Sequence, residues 1–421
     1  MAERTMMPDV SAFTDIDTEE LVGRARGMRE AIQADAIEAE QRGTYSPELH
    51  QAFLDAGFYS ILQPQKYGGL ELGLVAQHRT ILELARADAG IAWCLALGTH
   101  HTLPLVAHYP EQTAAWAFRD GAVISPHSLQ KSGTASPVEG GYRVSVRSGY
   151  NSGAPYSTHS MLNARIDSGP REGEVIVCLI PREDYTILDD WGGRRTMALG
   201  ATGSNTIEVS NAFVPSERTA IWNWLDSAFA DGTPGYRSTG NPLYLGNVNA
   251  VYSGSLAALM LGAAYSALDA FEELLATKPR QTAPIVLRAE HRDGLRQYAQ
   301  VRRLLDSAQA VLISTGRDYE HLNRAAAAGE SVSATDHYSL GNRVYSVIDM
   351  AWQAAELMFH SSSSGVARTG HPIQRALLAI QMQRPQAYDN MEFFGFEFAR
   401  RHFGVSFPEV EQASIGSSSG A

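Results

Sequence analysis

Apolar residues recur at Leu21, Ala25, Met28, Ile32 and Ala36, in steps of three and four, and predict a helix over residues 18–43. Pro47 to Gly57 reads as a second, short helix closed by glycine. Residues 74–98 predict a long, mostly buried helix ending near Gly98. The pattern changes near Asp120. From Val123 to Val214 the chain is turn-rich and β-branched. Gly140-Gly-Tyr-Arg-Val-Ser-Val-Arg147 alternates as a strand after a turn, and Val175-Ile-Val-Cys-Leu-Ile180 is a continuous apolar strand. Short strands at this spacing predict a small β-barrel or sandwich. After an irregular stretch beyond Pro215, helical periodicity returns. Ser253–Thr277 is apolar nearly all round, and 284–316, 335–360 and 372–384 follow as helices. Helices apolar on most faces need partners on most faces, as in a bundle or a subunit interface. The fold class is therefore α+β, mostly α: a helical N-terminal domain (1–120), a middle β-domain (121–225), a C-terminal helical bundle (226–405) and a flexible tail (406–421). No internal repeat stands out.

Composition narrows the function classes. The 421 residues are 44% hydrophobic and 19% charged, enough apolar material for several packed layers and too little charge for a disordered chain. A net charge of −12 and no basic cluster longer than two residues disfavour nucleic acid, which needs a basic face. Cys94 and Cys178 both sit in apolar runs and read as buried small hydrophobes. No His-x-x-x-His or carboxylate cluster has metal-ligand spacing, so no metal is expected. The first residues lack a signal peptide's apolar core, and no 18-residue uncharged apolar run is apparent. A soluble, cytoplasmic protein without a membrane segment is the expectation.

One stretch carries more than periodicity. Met197-Ala-Leu-Gly-Ala-Thr-Gly-Ser-Asn205 is a glycine-rich loop that turns into a strand through Ile207, Val209 and Phe213-Val214-Pro215, with Asp189-Asp-Trp191 ahead of it. Leu54-Asp-Ala-Gly-Phe58, Pro64-Gln-Lys-Tyr-Gly-Gly69, Tyr150-Asn-Ser-Gly153 and His371-Pro-Ile-Gln-Arg375 accompany it in order. Together they resemble the acyl-CoA dehydrogenase superfamily, and within it the flavin-dependent two-component monooxygenases. The resemblance runs from about Glu19 to about Gly404. It implies a C-terminal four-helix bundle, a homotetramer, and reduced FMN or FAD delivered by a separate NAD(P)H-dependent flavin reductase. It also implies O2 as co-substrate, a C4a-hydroperoxyflavin oxidant, and a small, aromatic or heteroaromatic substrate. No Gly-x-Gly-x-x-Gly follows a strand, so no nicotinamide site is apparent.

The resemblance assigns candidate roles. Ser152, beside Tyr150, matches the hydroxyl that hydrogen-bonds flavin N5; the alternative is an ordinary Asn-Ser-Gly turn. His100 and His101 follow the buried helix and could orient or deprotonate a substrate, or be polar residues suited to a helix C-terminus. His127 and His159 come after them. Thr202 and Ser204 of the glycine loop approach flavin or substrate. Arg280, in the connector after the first bundle helix, would reach a neighbouring subunit's flavin phosphate, or be a solvated surface charge. Ser362, in Ser361-Ser-Ser-Ser-Gly365, would line phosphate or ring edge, or belong to a plain connector. Trp93, Tyr150, Tyr156 and Trp191 would wall a dry pocket.

Two departures bear on the reaction. Acyl-CoA dehydrogenases place a glutamate before Gly-Thr where this chain reads Arg384-Pro-Gln-Ala-Tyr-Asp-Asn390, and the alternative glutamate position, Tyr252–Leu261, holds no acid. Proton abstraction by an acyl-CoA dehydrogenase or flavin oxidase is disfavoured. The monooxygenase branch has Arg-Asp and then histidine on this helix. Here Leu378-Ala379 replaces Arg-Asp, and by count Gln386 stands at the histidine position, where the resemblance implies that it would line the substrate pocket. Glutamine hydrogen-bonds but does not exchange a proton at neutral pH. His371 reads as structural. An acyl-CoA dehydrogenase or flavin oxidase stays as the first alternative and a non-catalytic helical assembly protein as the second.

Overall fold

The computed structural model describes residues 17–221, 232–245 and 249–407. Most of the predicted tail lies outside them. The first region is helical: α1 (Thr18–Gly27), α2 (Arg29–Arg42), α3 (Pro47–Asp55), α4 (Leu74–Ala87), α5 (Ala89–Thr99), α6 (Thr102–His108) and α7 (Glu111–Ala117). Two predicted helices are each broken in two. The first breaks at Met28, whose N–H bonds back to Ala25 and Arg26 and closes α1. The second breaks at Asp88, which is extended (φ −156°, ψ 124°) while its side chain accepts from the backbone N–H of Ile91 at 2.9 Å, capping α5. Apolar residues continue across both breaks because the segments on either side are buried, α5 nearly all round.

The middle region is one seven-stranded mixed sheet: β1 (His127–Val138), β2 (Gly141–Asn151), β3 (His159–Ile166), β4 (Val175–Pro181), β5 (Thr186–Ile187), β6 (Asn205–Pro215) and β7 (Thr219–Ile221). Their order is β5-β6-β2-β1-β3-β4-β7. β1 and β3 run parallel; the other pairs are antiparallel. In β2, Tyr142, Val144 and Val146 point inward and Arg143, Ser145 and Arg147 outward, the half-buried alternation the sequence shows. β4 is buried along its whole length. Ile176, Cys178 and Ile180 join the sheet's own core, while Val177 and Leu179 join the helical core on the other face. That double burial is why its apolar run is continuous, and it places Cys178 as the small hydrophobe expected.

After α8 (Pro234–Thr239), α9 (Asn249–Thr277), α10 (Arg292–Ala327), α11 (Ala334–Ser361) and α12 (Pro372–His402) form the bundle. α9 packs against α4, α5, α10, α11 and α12, which is why it is apolar all round. Its stretch Tyr252–Thr277 is long and apolar enough to cross a membrane by length and composition, but 83% of its most apolar window is buried inside the protein, as in a core helix. α12 is much longer than predicted. It continues through Pro385 and brings a second set of side chains to the site below.

Candidate active site

The glycine loop and the β2 turn are stitched together at the junction of sheet and helices. Gly153 N–H donates to Thr202 O (3.0 Å), Ala154 N–H to Gly203 O (3.1 Å), and Gly203 N–H to Gly43 O (2.8 Å). Gly203 has φ +58°, and a Cβ there would meet Pro155 at 2.7 Å, so both conformation and space demand glycine. The stitching aligns three hydroxyls. Thr202 Oγ1 and Ser152 Oγ each lie 2.7 Å from Ser204 Oγ, and Trp93 Nε1–H from α5 donates to Ser152 Oγ at 3.1 Å.

These residues form one wall of a cavity of about 750 Å³. α5 contributes Trp93 and Leu97; His100 and His101 follow it; β1 contributes His127 and Ser128. Tyr252, Ser253 and Leu256 come from α9 and Tyr345 from α11. α12 supplies Gln383, Gln386, Asn390 and Phe394. Tyr150, Trp191 and Leu199 complete the sheet side; Tyr150 is 65% exposed, with φ +58°, and its ring meets Trp191 edge-on.

The imidazoles are wired to one another. His101 Nδ1 lies 2.7 Å from Ser125 O, which only accepts, so Nδ1 carries the proton and Nε2 is the acceptor. His100 Nε2 then donates to His101 Nε2 at 2.9 Å, and His100 Nδ1 is buried without a partner. Asn163 donates its amide N–H to Ser128 O (3.2 Å), so its Oδ1 accepts from His127 Nε2–H (3.2 Å). His127 Nδ1 therefore accepts from the Tyr252 hydroxyl (3.3 Å). The Tyr252 ring stacks on His100 at 4.7 Å. Burial pushes His100 down to about 3 and His127 to about 4, and drives His101 well below its usual range, with neighbouring imidazoles adding to the effect on His100 and His101. Burial holds the Tyr252 phenol up, and therefore neutral.

Of the residues singled out from sequence, Ser152, Tyr150, Thr202, Ser204, Trp93, Trp191, His100, His101 and Gln386 line this cavity. Tyr156 does not. It stacks on His50 (4.0 Å) and Tyr45 (4.8 Å), and its hydroxyl donates to Tyr45 O at 2.8 Å, inside the neighbouring core. Arg280 and Ser362 also lie outside the lining. Ser362 Oγ donates to Met358 O (2.7 Å), and Arg280 Nη2 to Thr282 Oγ1 (3.2 Å). The two connectors do meet, since Arg288 donates to Ser361 O at 2.8 Å. His159 sits against Trp116, and the His371 ring accepts from Ile373 N–H at 3.2 Å, a structural cap on α12. Tyr252, Tyr345, Gln383 and Asn390 were missed. Each lies within a long helix with no motif to mark it, and only α12's unforeseen length brings Asn390 into play.

A second cavity, of about 660 Å³, lies on the other side of Leu199. It contains the ion triad of Arg375 with Asp88 (2.5 Å) and Glu40 (3.0 Å). Among the described residues no Asp or Glu lines the first cavity, so nothing there could act as a dehydrogenase's carboxylate base. Cys94, buried beside Gly203, is pushed up to about 12 and is no nucleophile. No group of three or more potential metal ligands occurs among the described residues.

Residues 17–117 match the family described as acyl-CoA dehydrogenase, N-terminal domain. The oxygenase subunit HsaA of a flavin-dependent monooxygenase from Rhodococcus jostii (strain RHA1) is 24% identical over 398 residues, covering 92% of this chain and 99% of that protein. This chain is a homologue of the HsaA-type flavin-dependent two-component monooxygenases, on an acyl-CoA dehydrogenase-like fold. XiaF from Streptomyces sp., solved with FADH2 and glycerol, superposes with a TM-score of 0.84 at 19% identity, over 95% of this chain and 98% of XiaF. FMN-bound TdsC from Paenibacillus sp. A11-2 gives 0.74 at 19%, over 92% and 98%. For a monooxygenase homologue the hydroxyl wall is a fitting seat for a flavin ring. Ser152 Oγ accepts from Trp93, its own proton is left to give when Ser204 is the donor in their 2.7 Å pair, and the surrounding rings offer apolar area.

Proposed function

We propose that this chain is the oxygenase component of a two-component monooxygenase. It would take reduced FMN or FAD from a separate NAD(P)H-dependent reductase and use O2 to oxygenate a small aromatic or heteroaromatic molecule. Homology to oxygenase subunits supports the reaction class. The single structural observation behind the site assignment is the hydrogen-bonded chain Trp93–Ser152–Ser204–Thr202 on the cavity wall.

When bound there, reduced flavin supplies the activated oxygen. The chain's own residues do the rest. Ser152 presents an O–H to a ring nitrogen, held in place by Trp93 on one side and Ser204 on the other. Leu97, Leu256 and Phe394 keep water from the reacting centre, which protects a reactive oxidant from hydrolysis. His100, His101 and Tyr252 position the substrate. With their pKa values so far down, the imidazoles are neutral hydrogen-bonding groups, with His100 Nδ1 the acceptor left uncommitted, and are not a pool of protons at neutral pH. Arg280 and the Ser361–Gly365 connector, whose two segments are joined by Arg288 and Ser361, would serve the flavin phosphate of a neighbouring subunit in a homotetramer.

The test is anaerobic titration of the protein with reduced FMN and then FAD, followed by rapid mixing with O2. Tight binding of one reduced flavin, and a transient absorbance distinct from both reduced and oxidised flavin, is the expected result. Binding with direct reoxidation moves the chain to an oxidase. No binding of either flavin leaves a helical assembly protein.

A further inference from the structure

The cavity's chemistry also limits what can occupy it. Among the described residues, no Asp, Glu, Lys or Arg lines it. The contrast with the second cavity is sharp, because that space holds Arg375, Asp88, Glu40 and Arg194. Every other polar function in the first cavity is a hydroxyl, an amide, an indole or an imidazole. The imidazoles add no cation. The two facing nitrogens of His100 and His101, 2.9 Å apart, hold one proton between them, and the remaining proton of His101 is committed to Ser125 O. His127 is tied to Asn163 and Tyr252.

The polar groups are nevertheless ordered. Gln383, Gln386 and Asn390 recur at three and four residues along α12 and so lie on one face of it. Gln383 donates to Gln386 Oε1 at 3.2 Å, and Ser253 donates to the Tyr345 hydroxyl at 3.2 Å. An amide face of this kind offers donors and acceptors in equal number. It recognises a neutral carbonyl, hydroxyl or ring N–H, but it cannot neutralise an ion. An ion buried without a partner is strongly disfavoured, whereas a neutral polar ring loses little if its hydrogen bonds are met.

We propose that this site takes a formally uncharged ring system, one carrying no carboxylate, phosphate or ammonium group, held between the imidazole–Tyr252 cluster and the amide face of α12. The inference rests on the oxygenase reading for the presence of a substrate at this cavity, but its content comes from the lining alone. It narrows the substrate to neutral heteroarenes, neutral phenols and their like, and sets aside aromatic acids, acyl-CoA thioesters and nucleotide-linked sugars.

The experiment uses the full chain with oxidised flavin present and absent. Matched pairs are titrated by calorimetry and by quenching of tryptophan fluorescence: indole against indole-3-carboxylate, and benzothiophene against benzothiophene-2-carboxylate. At pH 7.5 the uncharged member of each pair is expected to bind at least 100-fold more tightly. The Gln386→Arg variant places a cation on the exposed end of the amide face and is expected to shrink that ratio at least tenfold. Asn390→Lys is the second variant, in case the first fails to fold. Carboxylates binding within threefold of their parents, or neither member of either pair binding to wild-type protein, overturn the proposal. Failure of the oxygenase reading shows separately, as loss of flavin binding or of the oxygen transient, both measured without any ring compound.

Discussion

The hydroxyl of Ser152 is the residue-scale hinge of the site. It accepts from Trp93 and lies 2.7 Å from Ser204. The Ser152→Ala variant loses the proton it can give and strands the Trp93 N–H, at a cost of ~1–2 kcal/mol. The fold survives that loss. Product formed per reduced flavin oxidised is expected to drop at least fivefold, with hydrogen peroxide rising to match, while the melting temperature moves by only a few degrees. Unchanged product yield removes Ser152 from the mechanism. The sequence made Ser152 visible because an aromatic-x-Ser-Gly turn is local. What it hid is that Trp93 donates to Ser152, since those residues lie on separate elements joined only by tertiary packing. It also hid the state of the histidines. A His-His pair after a helix reads as acid–base chemistry, and only burial at 1% and 2% exposure turns the pair into neutral hydrogen-bonding groups. Tyr156 failed for the opposite reason. It is local to Ser152 in sequence, but the turn at Gly153 sends it to the other side, against His50.

At the scale of elements, the break between α4 and α5 organises the site. The sequence shows one mostly apolar helix from 74 to 98, and Asp88 is the last of four charges in it, after Arg79, Glu83 and Arg86. A charge in a buried segment was the signal for the break. Its partner, Arg375, lies on α12, far along the chain, and could not be paired with it by pattern. Asp88 caps α5 with one oxygen and meets Arg375 with the other, its side chain 5% exposed against 20% for Arg375. The pair therefore fixes the start of α12 against the helix that carries Trp93 and is followed by His100. Asp88→Ala removes a cap and leaves Arg375 with Glu40 alone, so a loss of about 3 kcal/mol in unfolding free energy is expected. Asp88→Asn keeps the cap and weakens only the ion pair, and is expected to recover roughly a third of that loss. Urea unfolding of the three proteins checks both statements. If Asn costs as much as Ala, the ion pair carries the whole effect and the cap none of it. The length of α12 was the other miss. Pro385 reads as a stop, because proline removes a helical N–H, yet packing on α9 and α11 carries the helix through it.

Across the whole molecule, burial of neutral histidine sets a pH limit on stability. His50, His78, His127 and His159 are held at about 4, and His100 and His108 at about 3, with burial the leading cause in every case. In the unfolded chain each returns toward 6.5. The unfolded state therefore binds more protons than the folded one between pH 6.5 and about 4. Stability is level above pH 6.5 and falls through that window as acid is added. His78 gives the cleanest case. Both its ring nitrogens are buried without a partner, and Gly316 of α10 makes room for the ring, since a Cβ there would meet Nδ1 at 3.3 Å. His78→Leu thus removes a buried imidazole without breaking a hydrogen bond. The variant is expected to match or exceed wild-type stability at pH 7.5. By pH 4.5 it should be ahead by about 2–3 kcal/mol, because a single titrating group changes stability by up to ~1.4 kcal/mol per pH unit. Urea midpoints measured from pH 8 to pH 4.5 decide the point. Parallel curves for the two proteins mean that His78 titrates in the folded state as it does in the unfolded chain. A variant curve that flattens as pH falls confirms that the acid limit comes from histidines the fold keeps neutral, the same condition that leaves the active cavity without a cation.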